Sequence, residues 1–323
     1  MNLGSAIMRY HLASFVCAAS VFGGCRTGGP DTSEAKLVGG TEALPHEYSS
    51  VLIWTSSDAA LTRSYCTGTK ISPRLILTAG HCVLLQDETP TPYKGRWRSI
   101  PQLEPGQLIK YSFERRLSPN VPQQKIHVRA LHLPPAVRNC LSAEALLPAC
   151  TGRIPTPDIA VIEVENETPF SEVASTEVDF DDVQRGDRVT IMGFGANDDA
   201  SAGLPRLKFH RSEVASSNAI KEALVGTEAD RDGLPDFKEF FGVLGYLTGA
   251  NYANLGSGDS GGPVMRESPN GPHVIGINSD GFCPSGMPEC QQTTNSLFQK
   301  LDKGAPHGVG EWLQSVMTQT GVE

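Results

Sequence analysis

The sequence predicts an all-β protein, either a barrel or a sandwich, and three observations support this fold class. Short apolar segments rich in β-branched residues recur along the 323 residues, a pattern typical of strands. Glycine (33 copies) and proline (23 copies) are frequent, and they separate these segments as turn residues do. Long helical patterns are scarce. The predicted strands cover residues 50–56, 74–80, 127–133, 159–164, 187–195, 207–214, 263–267 and 273–279.

Two segments have a helical pattern, residues 236–247 (DFKEFFGVLGYL) and residues 308–319 (GVGEWLQSVMTQ). In the second, Val309, Leu313 and Val316 fall near one helical face, which predicts a helix packed on the strands. Two further stretches, about residues 84–126 and 216–252, interrupt the strand pattern and are interpreted as insertions. No internal repeat is visible in the sequence.

The N-terminal segment differs in composition from the rest of the chain. Arg9 precedes an apolar run, residues 12–22, that is too short to span a bilayer, and such a run after a basic start is typical of a secretion signal. Residues 1–24 are therefore predicted to be a signal peptide, and the protein to be exported, either secreted or periplasmic. The ending FGGC resembles the lipobox of bacterial lipoproteins. An ordinary cleaved signal and a lipid tether on Cys25 to the cell envelope remain alternatives.

Net charge and cysteine usage restrict the function classes. The formal charge of −9 argues against a nucleic-acid surface, so no nucleic-acid partner is expected. Outside the signal, six cysteines remain, and an even number in an exported chain favours three disulfides, although fifteen pairings exist in principle. Proximity favours Cys66–Cys82, Cys140–Cys150 and Cys283–Cys290. A zinc site is the alternative, but no CxxC or paired-histidine spacing supports it.

Three motifs carry residue types that together suit nucleophilic catalysis. LTAGHC places His81 directly after an apolar strand, TPDIAVIEV places Asp158 at the start of another, and NLGSGDSGGPVM contains Ser260. A serine hydroxyl needs a base within hydrogen-bond reach, and an imidazole can accept its proton and return it to a leaving group. A carboxylate fixes the imidazole tautomer. Each motif alone also fits a cap or a turn, but three in one chain favour catalysis.

The segments LTAGHC, DIAVI and GSGDSGGP resemble the three signature segments of the chymotrypsin/trypsin family of serine proteases, and the chain order His, Asp, Ser also matches that family. The resemblance implies two packed antiparallel six-stranded β-barrels with a C-terminal helix. It places a protease domain at residues 37–323, with barrels at about 37–170 and 171–323. It also implies that Cys66–Cys82 is the bridge that braces the histidine loop.

The resemblance further implies the role of each site residue. Ser260 would be the nucleophile, His81 the general base and acid, and Asp158 the orienting carboxylate. The N–H groups of Gly258 and Ser260 would form the oxyanion hole, since a glycine lets the backbone turn its N–H inward. The expected activity is that of a serine endopeptidase acting on polypeptide substrates through an acyl-enzyme, as a monomer. No cofactor is required for this chemistry.

The segment AKLVGG (residues 35–40) resembles the family's zymogen cleavage site. Residues 25–36 would then be a tether and activation peptide, and an activating protease would cut after Lys36. The freed ammonium of Leu37 would pair with Asp259, the residue before the nucleophile, as an order–disorder switch. Leu37 departs from the usual isoleucine. The alternative is an ordinary linker before a strand.

Substrate preference and calcium remain open at the sequence level. Asn254 stands where trypsins carry an aspartate, and Gly256 stands where the family usually has a cysteine, so strict cleavage after Lys or Arg is not expected. Residues 228–239 (EADRDGLPDFKE) approach the spacing of an EF-hand loop, so the alternatives are a structural calcium site and an acidic solvated loop.

Two other functions compete with the protease. A catalytically silent binding protein on the same scaffold is the main alternative, because fold does not fix function. Binding proteins of this origin usually lose a triad member, and all three are present here. An α/β-hydrolase esterase fails on the order of its motifs.

Overall fold

The structure is a computed structural model, and it describes the following parts of the chain: residues 41–42, 49–54, 65–86, 97–100, 103–114, 124–142, 156–166, 170–195, 206–224, 238, 240–243, 255–256, 258–282 and 295–321. All of them belong to the compact unit Glu34–Glu323. No helix in these described parts is long and apolar enough to cross a membrane.

The described residues form mostly antiparallel strands. In the first half of the chain these are β1 (Thr41–Glu42), β2 (Ser50–Trp54), β3 (Tyr65–Lys70), β4 (Leu75–Thr78), β5 (Leu84–Gln86), β6 (Trp97–Ser99), β7 (Leu108–Ser112), β8 (Gln124–His132) and β9 (Ala160–Val164). In the second half they are β10 (Arg188–Gly193), β11 (Lys208–Glu213), β12 (Phe240–Val243), β13 (Pro263–Ser268), β14 (Gly271–Phe282) and β15 (Asn295–Lys300). Three α-helices accompany them: α1 (Pro135–Ser142), α2 (Ser217–Leu224) and α3 (Val309–Gln319).

Six strands close into a barrel in the order β2-β3-β4-β9-β8-β7. Side chains alternate between the two faces of a strand, so every second residue points into the barrel. The core formed in this way includes Val51, Ile53, Ile76, Ile109, Tyr111, Ile126, Val128, Ile162 and Val164. Strands β5 and β6 form a separate two-stranded sheet.

The second sheet has the order β1-β11-β10-β13-β14-β15-β12. Its two ends approach each other beyond β11, where Ala215 N–H donates to Gly242 O of β12 at 2.9 Å. The structure therefore confirms the expected fold class, two barrel-like antiparallel sheets with a C-terminal helix. One strand lies differently from the expected boundaries: β1 is within residues 37–170 but pairs with β11, through Thr41 opposite Phe209.

Strands β4 and β9 are buried on both faces, which explains why their residues are mostly apolar. Their inner side chains belong to the barrel core. Their outer side chains join a second cluster with the helix α3 and with β14, whose members include Leu75, Leu77, Val161, Val274, Ile277, Val309, Leu313 and Val316. The helix predicted at residues 308–319 is confirmed, and it covers the outer face of the strand pair.

Three local predictions from the sequence are wrong. Residues 236–247 were expected to be helical, but Phe240–Val243 forms β12 and pairs with β15. Aromatic and β-branched residues suit a strand as well as a helix, and the pairing with β15 decides between them. The stretches interpreted as insertions, residues 84–126 and 216–252, contain β7 and β12, which belong to the two main sheets.

The disulfide Cys66–Cys82 is present and confirms that prediction. It joins β3 to the turn that follows β4. The side chains of Cys140, Cys150, Cys283 and Cys290 lie outside the described residues, so the other two pairings remain predictions.

Candidate active site

The pairing of β4 with β9 brings two of the candidate residues to one end of the barrel. Thr78 and Ala160 are opposite each other in this antiparallel pair. His81 follows Thr78 in a 3₁₀ turn, Gly80–Cys82, and Asp158 precedes Ala160. Because neighbouring antiparallel strands place the end of one beside the start of the other, the two side chains meet.

The imidazole of His81 and the carboxylate of Asp158 are hydrogen-bonded, with 2.9 Å between His81 Nδ1 and Asp158 Oδ2. The backbone N–H of His81 donates to the other carboxylate oxygen, also at 2.9 Å. Asp158 is fully buried, whereas the His81 side chain is 23% exposed. A carboxylate beside Nδ1 favours a proton on that nitrogen, which leaves Nε2 as the basic atom.

The second sheet completes the surroundings of Asp158. Ser279 Oγ donates to Asp158 Oδ2 at 2.5 Å, and the N–H of Asp158 donates to Gln299 Oε1 at 2.7 Å. The carboxylate thus lies where the barrel and the second sheet meet. Sequence analysis missed both partners, because a serine and a glutamine in apolar strands carry no distinguishing signal.

Ser260 lies in the turn before β13, against the disulfide that holds the His81 turn. Its carbonyl oxygen accepts a hydrogen bond from Thr67 N–H at 2.9 Å. Cys82 Sγ lies 3.6 Å from that oxygen and 3.9 Å from His81 Nε2. The carbonyl oxygen of Ser260 and the Nε2 atom of His81 are therefore both within 3.9 Å of one sulfur atom. Ser260 is partly exposed.

Gly258 has a backbone conformation that only glycine adopts readily, with φ of 98°. A Cβ atom at this position would also overlap the ring of Tyr65. The carbonyl oxygen of Gly258 accepts from Thr67 Oγ1 at 2.8 Å, and that hydroxyl oxygen in turn accepts from Phe194 N–H at 3.0 Å. The backbone conformation at this position thus requires the glycine that the sequence places two residues before Ser260.

Asp259 anchors the turn that carries Ser260. Its carboxylate is completely buried and accepts hydrogen bonds from Gly195 N–H and Gly256 N–H, both at 2.7 Å. Burial raises the pKa of Asp259 to about 7, and these two backbone donors and the charge of Lys208 oppose that rise. Asn278 Nδ2 holds the Asp259 carbonyl oxygen at 2.9 Å. A buried carboxylate is stabilised by a positive charge nearby.

Several residues singled out in the sequence lie outside the described parts of the chain. These are Cys25, Lys36, Leu37, Asn254, Ser257 and all of residues 228–239 except Lys238. Among the residues that the structure describes, no group of three or more His, Cys, Asp or Glu side chains is arranged to hold a metal ion.

Comparison with known proteins identifies the family. A search of curated proteins finds no match. The Trypsin family model matches residues 37–302, which is most of the chain and includes both sheets and all four candidate residues. The chain therefore belongs to the Trypsin family of serine proteases.

Proposed function

We propose that this protein is an exported serine endopeptidase that uses Ser260, His81 and Asp158. The observation that carries the proposal is the 2.9 Å hydrogen bond between His81 Nδ1 and the fully buried Asp158 carboxylate, beside the turn of Ser260. A buried carboxylate that orients one imidazole nitrogen suits the other nitrogen to proton exchange. The adjacent serine is the group that needs such a base.

In the proposed reaction, Ser260 Oγ attacks the carbonyl carbon of a peptide bond while His81 Nε2 takes its proton. The resulting oxyanion is bound by the N–H groups of Gly258 and Ser260. His81 then donates the proton to the leaving amine, and an acyl-enzyme remains. Water, deprotonated by His81, attacks the ester, and His81 returns the proton to Ser260 Oγ as the acid leaves. The Asp158 carboxylate stabilises the imidazolium in both steps.

Activation by a cut after Lys36 is part of the proposal. The cut would free the amine of Leu37, four residues before β1, and a chain of this length reaches on the order of 13 Å. The buried carboxylate of Asp259 supports this route, because an ion in such surroundings gains most from a partner of opposite charge. Cleavage would also release the protease from the membrane if Cys25 carries a lipid.

The proposed substrates are polypeptides. Pairing of β14 with β13 ends at Ile277, and β14 continues to Phe282 past Ser279. This strand therefore extends along the site, and an extended peptide is the substrate shape that can lie beside a strand. Asn254 offers no charge to a basic side chain, so we expect no strict preference for Lys or Arg. A calcium ion at residues 228–239 would be structural.

Labelling with a fluorophosphonate tests the proposal, because this reagent modifies only an activated serine. A form beginning at Leu37 is compared with its Ser260→Ala and Ser257→Ala variants. We expect labelling of the parent and of Ser257→Ala, none of Ser260→Ala, and faster labelling than in the full-length chain. A correctly folded Leu37 form that stays unlabelled would refute the protease and favour the binding protein.

A further inference from the structure

Lys208 is a buried lysine of the second sheet, on a strand that has a paired strand on each side. It lies on β11, opposite Gly193 of β10 on one side and opposite Glu42 of β1 on the other. Only 2% of Lys208 is exposed to solvent. Lysines are seldom buried to this extent without a charged partner nearby. A carboxylate is therefore expected near the ammonium of Lys208.

The strand register places the Asp259 carboxylate on the face of β10 that Lys208 also occupies. A Cβ atom built on Gly193 would overlap Asp259 Oδ1, so the carboxylate fills the space where a side chain of residue 193 would be. Residues directly opposite in an antiparallel pair have their side chains on the same face. The side chain of Lys208 therefore extends on the face where that carboxylate lies, next to a position without a side chain.

The charges around Asp259 agree with this placement. The positive charge of Lys208 lowers the pKa of Asp259 against the effect of burial. Asp259 also acts on the ring of Tyr65, whose hydroxyl pKa is raised by burial and then by the negative charge of Asp259. On β1, the residue opposite Lys208 in the backbone register is Glu42. Lys208 is thus placed beside the turn that carries the proposed nucleophile, on a strand that also pairs with β1.

We propose that Lys208 is a positioning residue that supplies Asp259 with a resident counter-charge and lets the uncut chain form the Ser260 turn. This inference rests on the proposed function. Without Lys208, the partners that the described residues offer to a buried Asp259 carboxylate are the backbone donors of Gly195 and Gly256, and an uncompensated buried charge favours leaving the interior. With Lys208 in place, cleavage after Lys36 increases an activity that already exists.

The test compares uncut and cut forms with and without this lysine. The uncut form carries Lys36→Gln, which removes the basic residue at the cleavage site, and the cut form begins at Leu37. Each is made with Lys208→Met, with Lys208→Arg, and with Lys221→Gln as a control that removes an exposed lysine of α2. The readouts are the rate of fluorophosphonate labelling and the kcat/KM for a peptide ester.

We expect the uncut parent to react measurably and Lys208→Met to lower its kcat/KM at least tenfold, equivalent to about 1.4 kcal/mol. In the cut form the same substitution lowers kcat/KM less than threefold, because the Leu37 ammonium replaces the charge. Lys208→Arg restores most of the uncut activity, and Lys221→Gln changes neither form.

Three results would overturn the inference without affecting the proposed protease. The first is an uncut parent with no activity beside an active cut form, and the second is an uncut form on which Lys208→Met has no effect. The third is an equal loss of activity in both forms, which would indicate that Lys208 has a merely structural role. An inactive cut parent would instead refute the proposed function itself. A variant that fails to fold is recognised by its circular dichroism spectrum, and Lys208→Arg then decides: full activity of its uncut form supports the inference, and uncut activity lower by tenfold or more refutes it.

Discussion

The carboxyl group of Asp259 has no contact with solvent, and its protonation changes near neutral pH. Burial raises its pKa from 3.8 in the unfolded chain to about 7 in the folded one. The folded state therefore binds this proton more tightly than the unfolded state does. The stabilising contribution of the group is complete below about pH 4 and is lost as the pH rises through about 7.

We predict that the difference in free energy of unfolding between the uncut parent and its Asp259→Asn variant falls, as the pH rises from 4 to 8, by an amount on the order of 4 kcal/mol. Urea unfolding followed by circular dichroism at several pH values measures it. The asparagine variant does not titrate at this position, so it supplies the reference. A difference that stays constant over this range would show that Asp259 is not the titrating group.

The residues of the candidate site are of two kinds. Some stand in sequence motifs that have a chemical reason, and others are brought near the site only by the fold. His81, Asp158, Gly258 and Ser260 were predicted because each stands in a motif with a reason for its residue type. Thr67, Tyr65 and Ser279 were not, although Thr67 holds both Gly258 O and Ser260 O. Their contacts join residues 121 to 193 positions apart in the chain, and spacing along the chain contains no record of such proximity.

At the scale of elements, one buried lysine fixes the connection between the barrel and the second sheet. Lys70, the last residue of β3, is 1% exposed. Its ammonium donates to the carbonyl oxygens of Phe170 (2.8 Å), Ser171 (3.3 Å) and Val173, and it lies 5.0 Å from the centre of the Phe170 ring. Desolvation lowers the pKa of Lys70 to about 8. The ammonium of Lys70 thus donates hydrogen bonds to three carbonyl oxygens of one turn.

Replacing Lys70 by methionine keeps the volume and the apolar stem but leaves these carbonyl groups without their donor. We predict that Lys70→Met lowers the free energy of unfolding by about 2 kcal/mol at pH 7, because buried polar groups that lose a partner are costly. Denaturant unfolding measures this change, with Lys303→Met, which removes an exposed lysine, as the control. Equal stability of parent and Lys70→Met would show that the turn does not depend on the ammonium.

The elements themselves were predictable to different degrees. Strands such as β9 and β10 are mostly apolar, and their existence followed from the sequence. The strand β12 was mistaken for a helix, and β7 was mistaken for part of an insertion, because each has only four or five residues. Short strands gain their stability from a partner strand elsewhere in the chain, and this partner is not visible in a local window.

At the scale of the whole molecule, the two halves repeat one strand order. The barrel runs β2-β3-β4-β9-β8-β7, and the second sheet runs β11-β10-β13-β14-β15-β12 with β1 added at its end. The two orders agree when the second sheet is read as a ring, because its β11 and β12 ends approach each other. Starting from β10, the ring runs β10-β11-β12-β15-β14-β13, so β10 matches β2 and each later strand matches the strand of the same rank in the barrel. No internal repeat is visible in the residues, because many apolar sequences satisfy the same alternation. The two-barrel arrangement was therefore reached through the resemblance of the motifs.

The halves also share one apolar cluster, which predicts how the molecule unfolds. Leu313 of α3 is fully buried in the cluster that contains Leu77 of β4, Val161 of β9 and Ile277 of β14. His81 follows β4, and Asp158 precedes β9. The helix thus packs under the strand ends that carry the proposed base and its carboxylate, and it contacts side chains of both halves.

We predict that Leu313→Ala lowers the free energy of unfolding by about 3 kcal/mol, because it removes a buried side chain and leaves a cavity. Unfolding should remain a single transition by both circular dichroism and loss of Ser260 labelling, since the cluster belongs to both halves. Gln314→Ala, at an exposed position of the same helix, controls for helix propensity. Two separate transitions in the variant, with labelling lost in the first, would show instead that the halves are held together by contacts other than this cluster.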